Sequence, residues 1–274
     1  MSVLLVGIGA DTTNCTPTPP VFDDGRFEYI PIPERSGPSG TTEHRTYGNT
    51  PLQHADTSLA GFVERIYPTG QPTSRRTGDA IANWPLHHDP NLEALSYGET
   101  ISRASYVHRL RDMEPGDVVA FYTGLQAAAN GPRHRYLIGA FTVNMVFDCQ
   151  RIPYNGSHRP LRELPKATRT AHMESLAENA HAKRFLATGE LLAPDDGVVI
   201  VDGREPGKRF ERAVQISADG GGPHYYLRDE LEEKWQPEST GDARTSTYLG
   251  GIKPAILLDI SPASFWETVE AYLE

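Results

Sequence analysis

Residues 113–146, MEPGDVVAFYTGLQAAANGPRHRYLIGAFTVNMV, contain the clearest strand pattern of this 274-residue chain. Residues 118–123 and 136–146 are rich in Val, Phe, Tyr and Ile, which favour β-strands. A Pro-Gly-Asp turn at 115–117 precedes the first run, and Asn-Gly-Pro at 130–132 supplies a turn between the two. We therefore predict that two neighbouring, buried strands form the centre of the fold.

Shorter patterns on both sides of this centre indicate the fold class. Residues 3–8 and 198–201 are continuous apolar runs typical of buried strands, and 210–216 alternates like a neighbouring strand. Ser96 and Glu99 have the spacing of a capping box, and apolar residues at helical spacing follow, so a helix is predicted after them. The predicted class is α+β, a mixed, strongly bent β-sheet or open barrel with flanking helices and long loops.

Composition limits the compartment and the class of protein. The net charge is −10, and 21 arginines stand against 5 lysines, a balance typical of a halophilic cytoplasm or of an acidic protein from a GC-rich genome. Two cysteines without ligand spacing favour a reducing cytoplasm. Neither a signal peptide nor a membrane-spanning run is seen, which predicts an acidic cytoplasmic protein with no membrane partner. Because no linker divides the chain, one domain over residues 1–274 is predicted.

Short polar side chains follow the first apolar run. Gly7-x-Gly9 begins like a dinucleotide-binding fingerprint, but the third glycine and the following helix are missing. Asp11, Thr12 and Asn14 instead offer polar groups at the end of a buried strand, a common position for a binding site. The alternative is an ordinary turn at the strand end.

Two histidine-bearing segments are candidates for chemistry. The first reads His-His-Asp at 87–89, and no metal site is predicted there, because adjacent residues seldom ligate one ion and no carboxylate–histidine motif surrounds them in sequence. The second offers an amide, an imidazole and two cations in Asn179, His181, Lys183 and Arg184. That set is either a reader of an anion or base edge or a solvated helix face. The identity of any cofactor is left open.

Aromatic side chains occur on and before the central strands. Tyr122, Tyr136, Phe141 and Trp84 either line a cage for a base or pack in the core.

Seven motifs, in this order, resemble the third type of nucleotide modification associated domain. They are GIGADTTN at 7–14, a DDG turn at 23–25, YIPIPE at 29–34, HHDPNL at 87–92, PGDVVAFYTGL at 115–125, YLIGAF at 136–141 and NAHAKR at 179–184. The resemblance covers most of the chain and implies association with enzymes that handle hypermodified DNA bases. The central segment, near 100–150, is also similar to the PUA-like group that includes EVE, ASCH and YTH domains, which implies a pocket for an extruded modified base.

The resemblance implies specific site positions. In this sequence they are Asp11, Thr12, His88, Asp89, Asp117, Asn179 and His181. The chain departs from the family pattern in the run TTNCTPTP after Asp11, and in Ala180, where the family has proline.

Three functions are compatible with these residues. The first is a module that binds a modified nucleotide or DNA by stacking on Tyr122 or Trp84, with polar contacts from Asp11, Thr12, Asn14, Asp117, Asn179, His181 and Arg184. The second is an enzyme of DNA base hypermodification that uses His/Asp acid–base or metal chemistry, with catalytic residues His88, Asp89, His181 and Asp11. The third is a non-catalytic subunit that partners DNA-modification enzymes or belongs to a defence system.

Overall fold

A computed structural model describes residues 1–10, 14–34, 37–68, 74–127, 131–218, 224–238, 246–250 and 255–274. The strands in chain order are β1 (Val3–Gly7), β2 (Cys15–Thr16), β3 (Pro20–Val21), β4 (Ile32–Pro33), β5 (Arg65–Ile66), β6 (Leu86–His87), β7 (Ser96–Thr100), β8 (Val118–Ala127), β9 (Arg133–Asp148), β10 (Ile152–Tyr154), β11 (Ser157–Arg159), β12 (Val198–Gln215) and β13 (Ile256–Leu258). The helices are α1 (Leu59–Phe62), α2 (Gly78–Ile81), α3 (Ala104–Arg111), α4 (Lys166–Glu174), α5 (Ala180–Thr188), α6 (Asp229–Trp235) and α7 (Pro262–Leu273).

The main sheet is a curled, open half-barrel with the strand order β13-β1-β8-β9-β12-β7. Strands β1 and β8 are parallel, the other neighbours in this path are antiparallel, and β3 adds a short parallel pairing to β8. The long β9–β12 pairing has three register shifts, and such irregularities increase local bend and twist. The predicted α+β class with a strongly bent, mixed sheet is therefore confirmed.

Both faces of the sheet are covered, since the side chains of β1 alternate between one hydrophobic cluster on each face. Leu4 and Val6 point to the cluster that contains α3, whereas Val3 and Leu5 point to the cluster that contains α6 and α7. A strand covered on both sides reads as a continuous apolar run, which explains why residues 3–8 show no polar alternation.

The long segments before β7, read in the sequence as irregular, contain a small core of their own. Two short strand pairs, β2–β5 and β4–β6, hold these segments, and Tyr47, Ile66 and Ile81 are fully buried among them. This layer is joined to the segment after β1, where the backbone N–H of Ala10 donates to the carbonyl oxygen of Ile30 over 3.0 Å. The layer also brings His87, at the end of β6, close to β7.

Two sequence predictions about local structure are wrong. Ser96 and Glu99 do not cap a helix but lie on β7, an edge strand paired with β12, and the helix begins only at Ala104. Residues 198–201 and 210–216 are not neighbouring strands, because both belong to the single 18-residue β12. The glycines and proline between them mark register shifts within β12 rather than a turn.

Across the part of the chain that the structure describes, no helix has both the length and the apolar character required to cross a bilayer.

Candidate functional site

Strand β7 is the element on which the candidate site is built. The amide of Asn179 donates to the hydroxyl of Ser96 over 3.3 Å, which fixes the start of α5 against this strand. The Asn179 side-chain oxygen also accepts from the backbone N–H of His181 over 2.9 Å, so Asn179 is the N-cap of the helix. The imidazole of His181 consequently lies over Gly98 in the middle of β7.

His87 reaches the same place from the loop layer. Its Nδ1 lies 3.0 Å from Oε2 of Glu34, which is 1% exposed, and Oε1 of Glu34 accepts from Arg184 over 2.9 Å. Burial alone would lower the pKa of His87, but the hydrogen bond and the charge of Glu34 outweigh it and raise that pKa. The ring of His87 meets the ring of His181 edge-on, with 5.1 Å between their centroids.

Asp89 lies between the two imidazoles. Its Oδ1 accepts from the backbone N–H of Gly98 over 2.9 Å, and its Oδ2 is 3.3 Å from Nε2 of His181 and 3.9 Å from Nε2 of His87. The potential ligand atoms of the three residues all lie within 4.8 Å of one another. We call His87, Asp89 and His181 the His–Asp–His cluster.

The cluster lies in the wall of a cavity of about 630 Å³, here called the main cavity. That volume falls in the range of about 300–1,000 Å³ that is usual for small-molecule sites. Apolar groups from three parts of the chain, including Ile8, Ile32 and Leu192, contribute to its walls. Polar groups in its lining include Asn14, Tyr67, Thr100, Ser102 and Arg103.

Two charged residues of the cavity lining, Glu99 and Arg103, are paired with each other. Oε2 of Glu99 accepts from the hydroxyl of Tyr97 and from Arg103, each over 2.9 Å. The guanidinium of Arg103 also lies 3.6 Å from the ring centre of Tyr106. Arg103 offsets the charge of Glu99, and Asp89 is the other carboxylate among the described residues that line this cavity.

His88, one of the two histidines predicted to be catalytic, is not part of the cluster and contacts Arg45 instead. Its Nδ1 accepts from Arg45 over 2.7 Å, and its ring lies 6.5 Å from that of Tyr29. Burial, followed by the nearby cation of Arg45, lowers the pKa of His88 to about 4. His88 is therefore neutral at pH 7, and adjacent His87 takes the position facing Asp89.

The ion-pair cluster beside His88 gives a prediction for acid stability. Burial of Glu43 would raise its pKa, but hydrogen bonds from Arg45 and Lys183 lower it to about 2, against an ordinary 4.5. A depressed pKa stabilises the fold above pH 4.5, and this contribution is lost as the pH falls from about 4.5 towards 2. We expect Glu43→Gln to lower the free energy of unfolding by about 2 kcal/mol at pH 7. In urea titrations its deficit relative to the wild type should shrink below pH 4.5, and an equal deficit at pH 7 and pH 3 would contradict this origin.

Several predicted site residues lie at or near the main cavity. Asn14 lines it, and Arg184 lies behind His87 through Glu34. Asn179 is 1% exposed and positions His181 rather than facing the cavity. The predictions for Asp11 and Thr12 fall outside the described residues.

Other predicted residues are separated from the cluster. Tyr122 lines a smaller neighbouring cavity of about 150 Å³, which shares Asn14 and Arg103 with the main one. Trp84 packs against the core of the loop layer. The carboxylate of Asp117 accepts from the backbone N–H groups of Ser2 and Glu114, which holds the turn before β8. Tyr136 and Phe141, the remaining cage candidates, are buried in the core beside α3.

The sequence predictions missed His87, Glu34, Gly98 and Tyr67 as members of the site. His87 and Asp89, the first and last residues of the run at 87–89, face the same site. The third member, His181, comes from α5, which is distant in sequence. Adjacent residues seldom ligate one ion, but His87 and Asp89 are separated by one residue and His181 is distant in sequence, so that expectation does not apply to these three residues. A signal was present in the sequence, since the motifs at 29–34, 87–92 and 179–184 supply Glu34, His87, Asp89 and His181.

The fold and the site define an α+β protein with an open cavity and a buried His–Asp–His cluster in its wall. Residues 2–248 match the family model described as nucleotide modification associated domain 3, so the chain belongs to that family. No curated protein and no solved structure matches the chain. Membership confirms the family resemblance and associates the chain with nucleotide modification, whereas the similarity to PUA-like domains stays a prediction.

Proposed function

We propose that this protein binds a nucleotide in the main cavity, with the base or modified base facing the His–Asp–His cluster. The observation that carries the proposal is the convergence of His87, Asp89 and His181 in the wall of a cavity large enough for such a ligand. Family membership supplies the ligand class, because it associates the chain with nucleotide modification.

The other walls suit the base of a nucleotide. Ile8, Ile32 and Leu192 offer apolar surface to the faces of a base, and Asn14, whose side-chain amide donates to the carbonyl oxygen of Gly9 over 3.2 Å, lines the same cavity. Tyr67 is a half-buried ring in the lining, and a base stacked on an aromatic side chain gains about 1–3 kcal/mol.

An enzymatic role is the second candidate, and the cluster itself favours it. Buried imidazole and carboxylate groups in a ligand-sized cavity are the groups that acid–base catalysis requires. A protein that only stacks and holds a base does not need them. This candidate predicts that His181→Ala abolishes a modified nucleoside measured by mass spectrometry of host DNA. Unchanged nucleoside content would contradict it and leave the binding role.

Nucleotide binding is testable by calorimetry at one fixed salt concentration. The probes are the four ordinary deoxynucleoside monophosphates and their 5-hydroxymethylpyrimidine counterparts. We expect a 5-hydroxymethyl probe to bind more tightly than its ordinary counterpart. We also expect Tyr67→Ala to weaken it about 5- to 150-fold, the equivalent of 1–3 kcal/mol.

Tyr226→Ala is the matched control, because Tyr226 is 38% exposed and lies outside the main cavity. It should leave the dissociation constant unchanged. Absence of binding by every probe, or equal effects of Tyr67→Ala and Tyr226→Ala, would overturn the proposed site. Equal affinity for ordinary and hydroxymethyl probes would overturn the selectivity for modified bases.

A further inference from the structure

We propose that the His–Asp–His cluster is a binding site for one divalent first-row transition metal ion, with its open coordination positions facing the main cavity. Ligand atoms about 2.1 Å from one ion lie about 3.0–3.4 Å apart in octahedral or tetrahedral geometry. Oδ2 of Asp89 lies 3.3 Å from Nε2 of His181, within that range, and 3.9 Å from Nε2 of His87, beyond it, and the potential ligand atoms all lie within 4.8 Å of one another. Inward movement of the His87 and His181 side chains on metal binding would complete the site.

The hydrogen bonds behind His87 leave the required nitrogen available. Nδ1 faces the carboxylate of Glu34 at 3.0 Å, and Arg184 holds the other oxygen of that carboxylate. When the ring is neutral and its proton lies on Nδ1, facing Glu34, the lone pair of Nε2 points to the side where Asp89 lies. A carboxylate behind a histidine in this way is the usual outer support of a metal ligand, since it fixes the tautomer and orients the ring.

Hydrogen bonds to the backbone or to a helix cap also hold the other two proposed ligands, Asp89 and His181, in place. Oδ1 of Asp89 is occupied by the backbone N–H of Gly98, which leaves Oδ2 as a single ligand atom between the imidazoles. His181 is 2% exposed and is fixed through the N-cap Asn179. Its Nδ1 has no hydrogen-bond partner among the described residues. Its Nε2 faces Oδ2 of Asp89, and a bound ion would replace this direct contact.

The donor set selects the class of ion. Two imidazoles suit Zn, Fe, Co and Ni, whereas Mg²⁺ and Ca²⁺ prefer oxygen ligands. Three protein ligands leave open positions, as in catalytic rather than structural metal sites. The metal site is inferred from its own geometry, and only the expectation that a nucleotide group occupies the open positions rests on the proposed function.

Metal binding is measured on the full chain in the absence of nucleotide. The chain is treated with EDTA, desalted and titrated with Co²⁺, whose visible absorption reports imidazole and carboxylate ligation, and Zn²⁺ is then added as a competitor. We expect one Co²⁺ per chain, displaced by Zn²⁺. His181→Ala should weaken binding more than about 100-fold, and Glu34→Gln about 10- to 100-fold, as for loss of an outer support. Asp89→Asn, which keeps the shape of the side chain, is the second ligand variant should His181→Ala fail to fold.

His108→Ala is the matched control, because His108 and Asp112 form an exposed pair on and beside α3 with an Nε2–Oδ2 distance of 3.8 Å. Its Co²⁺ affinity should equal that of the wild type. Absence of a bound ion in the folded chain, or wild-type affinity in folded Asp89→Asn or His181→Ala, would overturn the metal site. Metal binding without nucleotide binding would contradict the proposed function alone, and nucleotide binding without metal would contradict this inference alone.

Discussion

Glu34→Ala is expected to lower the free energy of unfolding by about 3–5 kcal/mol, because it removes the buried counter-charge of Arg184. The Glu34 side chain is 1% exposed and that of Arg184 is 12% exposed, so water cannot replace the lost carboxylate. The same substitution removes the acceptor of His87 Nδ1. Urea unfolding at pH 7 measures the loss.

Glu93→Ala provides the matched control for this prediction. Glu93 also pairs with an arginine, Arg45, at 3.3 Å, but its side chain is 76% exposed. An exposed pair contributes about 0–1 kcal/mol, so this variant should remain near the wild type. Adding Arg184→Met to Glu34→Ala should restore part of the stability, since the buried guanidinium is then absent. Equal losses for Glu34→Ala and Glu93→Ala would show that the buried pair does not stabilise the fold.

Gly98→Ala is expected to disturb both the stability and the His–Asp–His cluster. A Cβ atom at position 98 would lie 2.4 Å from Cδ2 of His181, a separation too short for non-bonded carbons. Because His181 is buried, its ring has little room to retreat. Overpacking of this kind costs about 1–3 kcal/mol. The displaced imidazole should also weaken Co²⁺ binding by at least about 10-fold, on the scale of a disturbed outer support.

A double-mutant cycle shows whether the ring of His181 causes that loss. When His181→Ala is already present, the clash is gone, and Gly98→Ala should cost much less than in the wild type. Thermal unfolding of the four proteins provides the comparison. A Gly98→Ala penalty of the same size in both backgrounds would assign the effect to β7 itself instead of to the His181 contact.

The centre of the fold was predictable because the relevant information is local. Residues 118–123 and 136–146 carry strong β propensity, and they lie within β8 and β9. The family motifs were equally visible, and the family match over residues 2–248 confirms them. The residue types within each segment and the order of the motifs along the chain can both be read from one sequence.

Strand β7 was missed because long-range contacts override its local pattern. Its sequence, SYGET, is polar, yet every residue of it is buried. Asn179, from the distant α5, satisfies Ser96, whereas Tyr97 and Arg103 satisfy Glu99 from only two and four residues away. The pairing of this segment with β12, which makes it a strand, is the long-range contact that its local sequence does not show. Since β7 positions Asp89 and His181, this error also hid the site.

The choice between the two adjacent histidines could not be made from sequence. His87 and His88 point to different surroundings, one to the acidic pair of Glu34 and Asp89 and the other to the cation of Arg45. Which histidine faces which partner depends on the pairing of β6 with β4, in which His87 lies opposite Ile32. That pairing joins segments about fifty residues apart, beyond the reach of local spacing rules.

The most direct test of the site is a crystal structure of the chain grown with Co²⁺ and a 5-hydroxymethylpyrimidine deoxynucleoside monophosphate, recorded at the cobalt absorption edge. We expect one anomalous peak about 2.0–2.2 Å from Nε2 of His87, Oδ2 of Asp89 and Nε2 of His181. We also expect density for the nucleotide in the main cavity. An intact contact between Asp89 and His181 with no anomalous peak between them, and a nucleotide bound outside that cavity, would contradict both expectations.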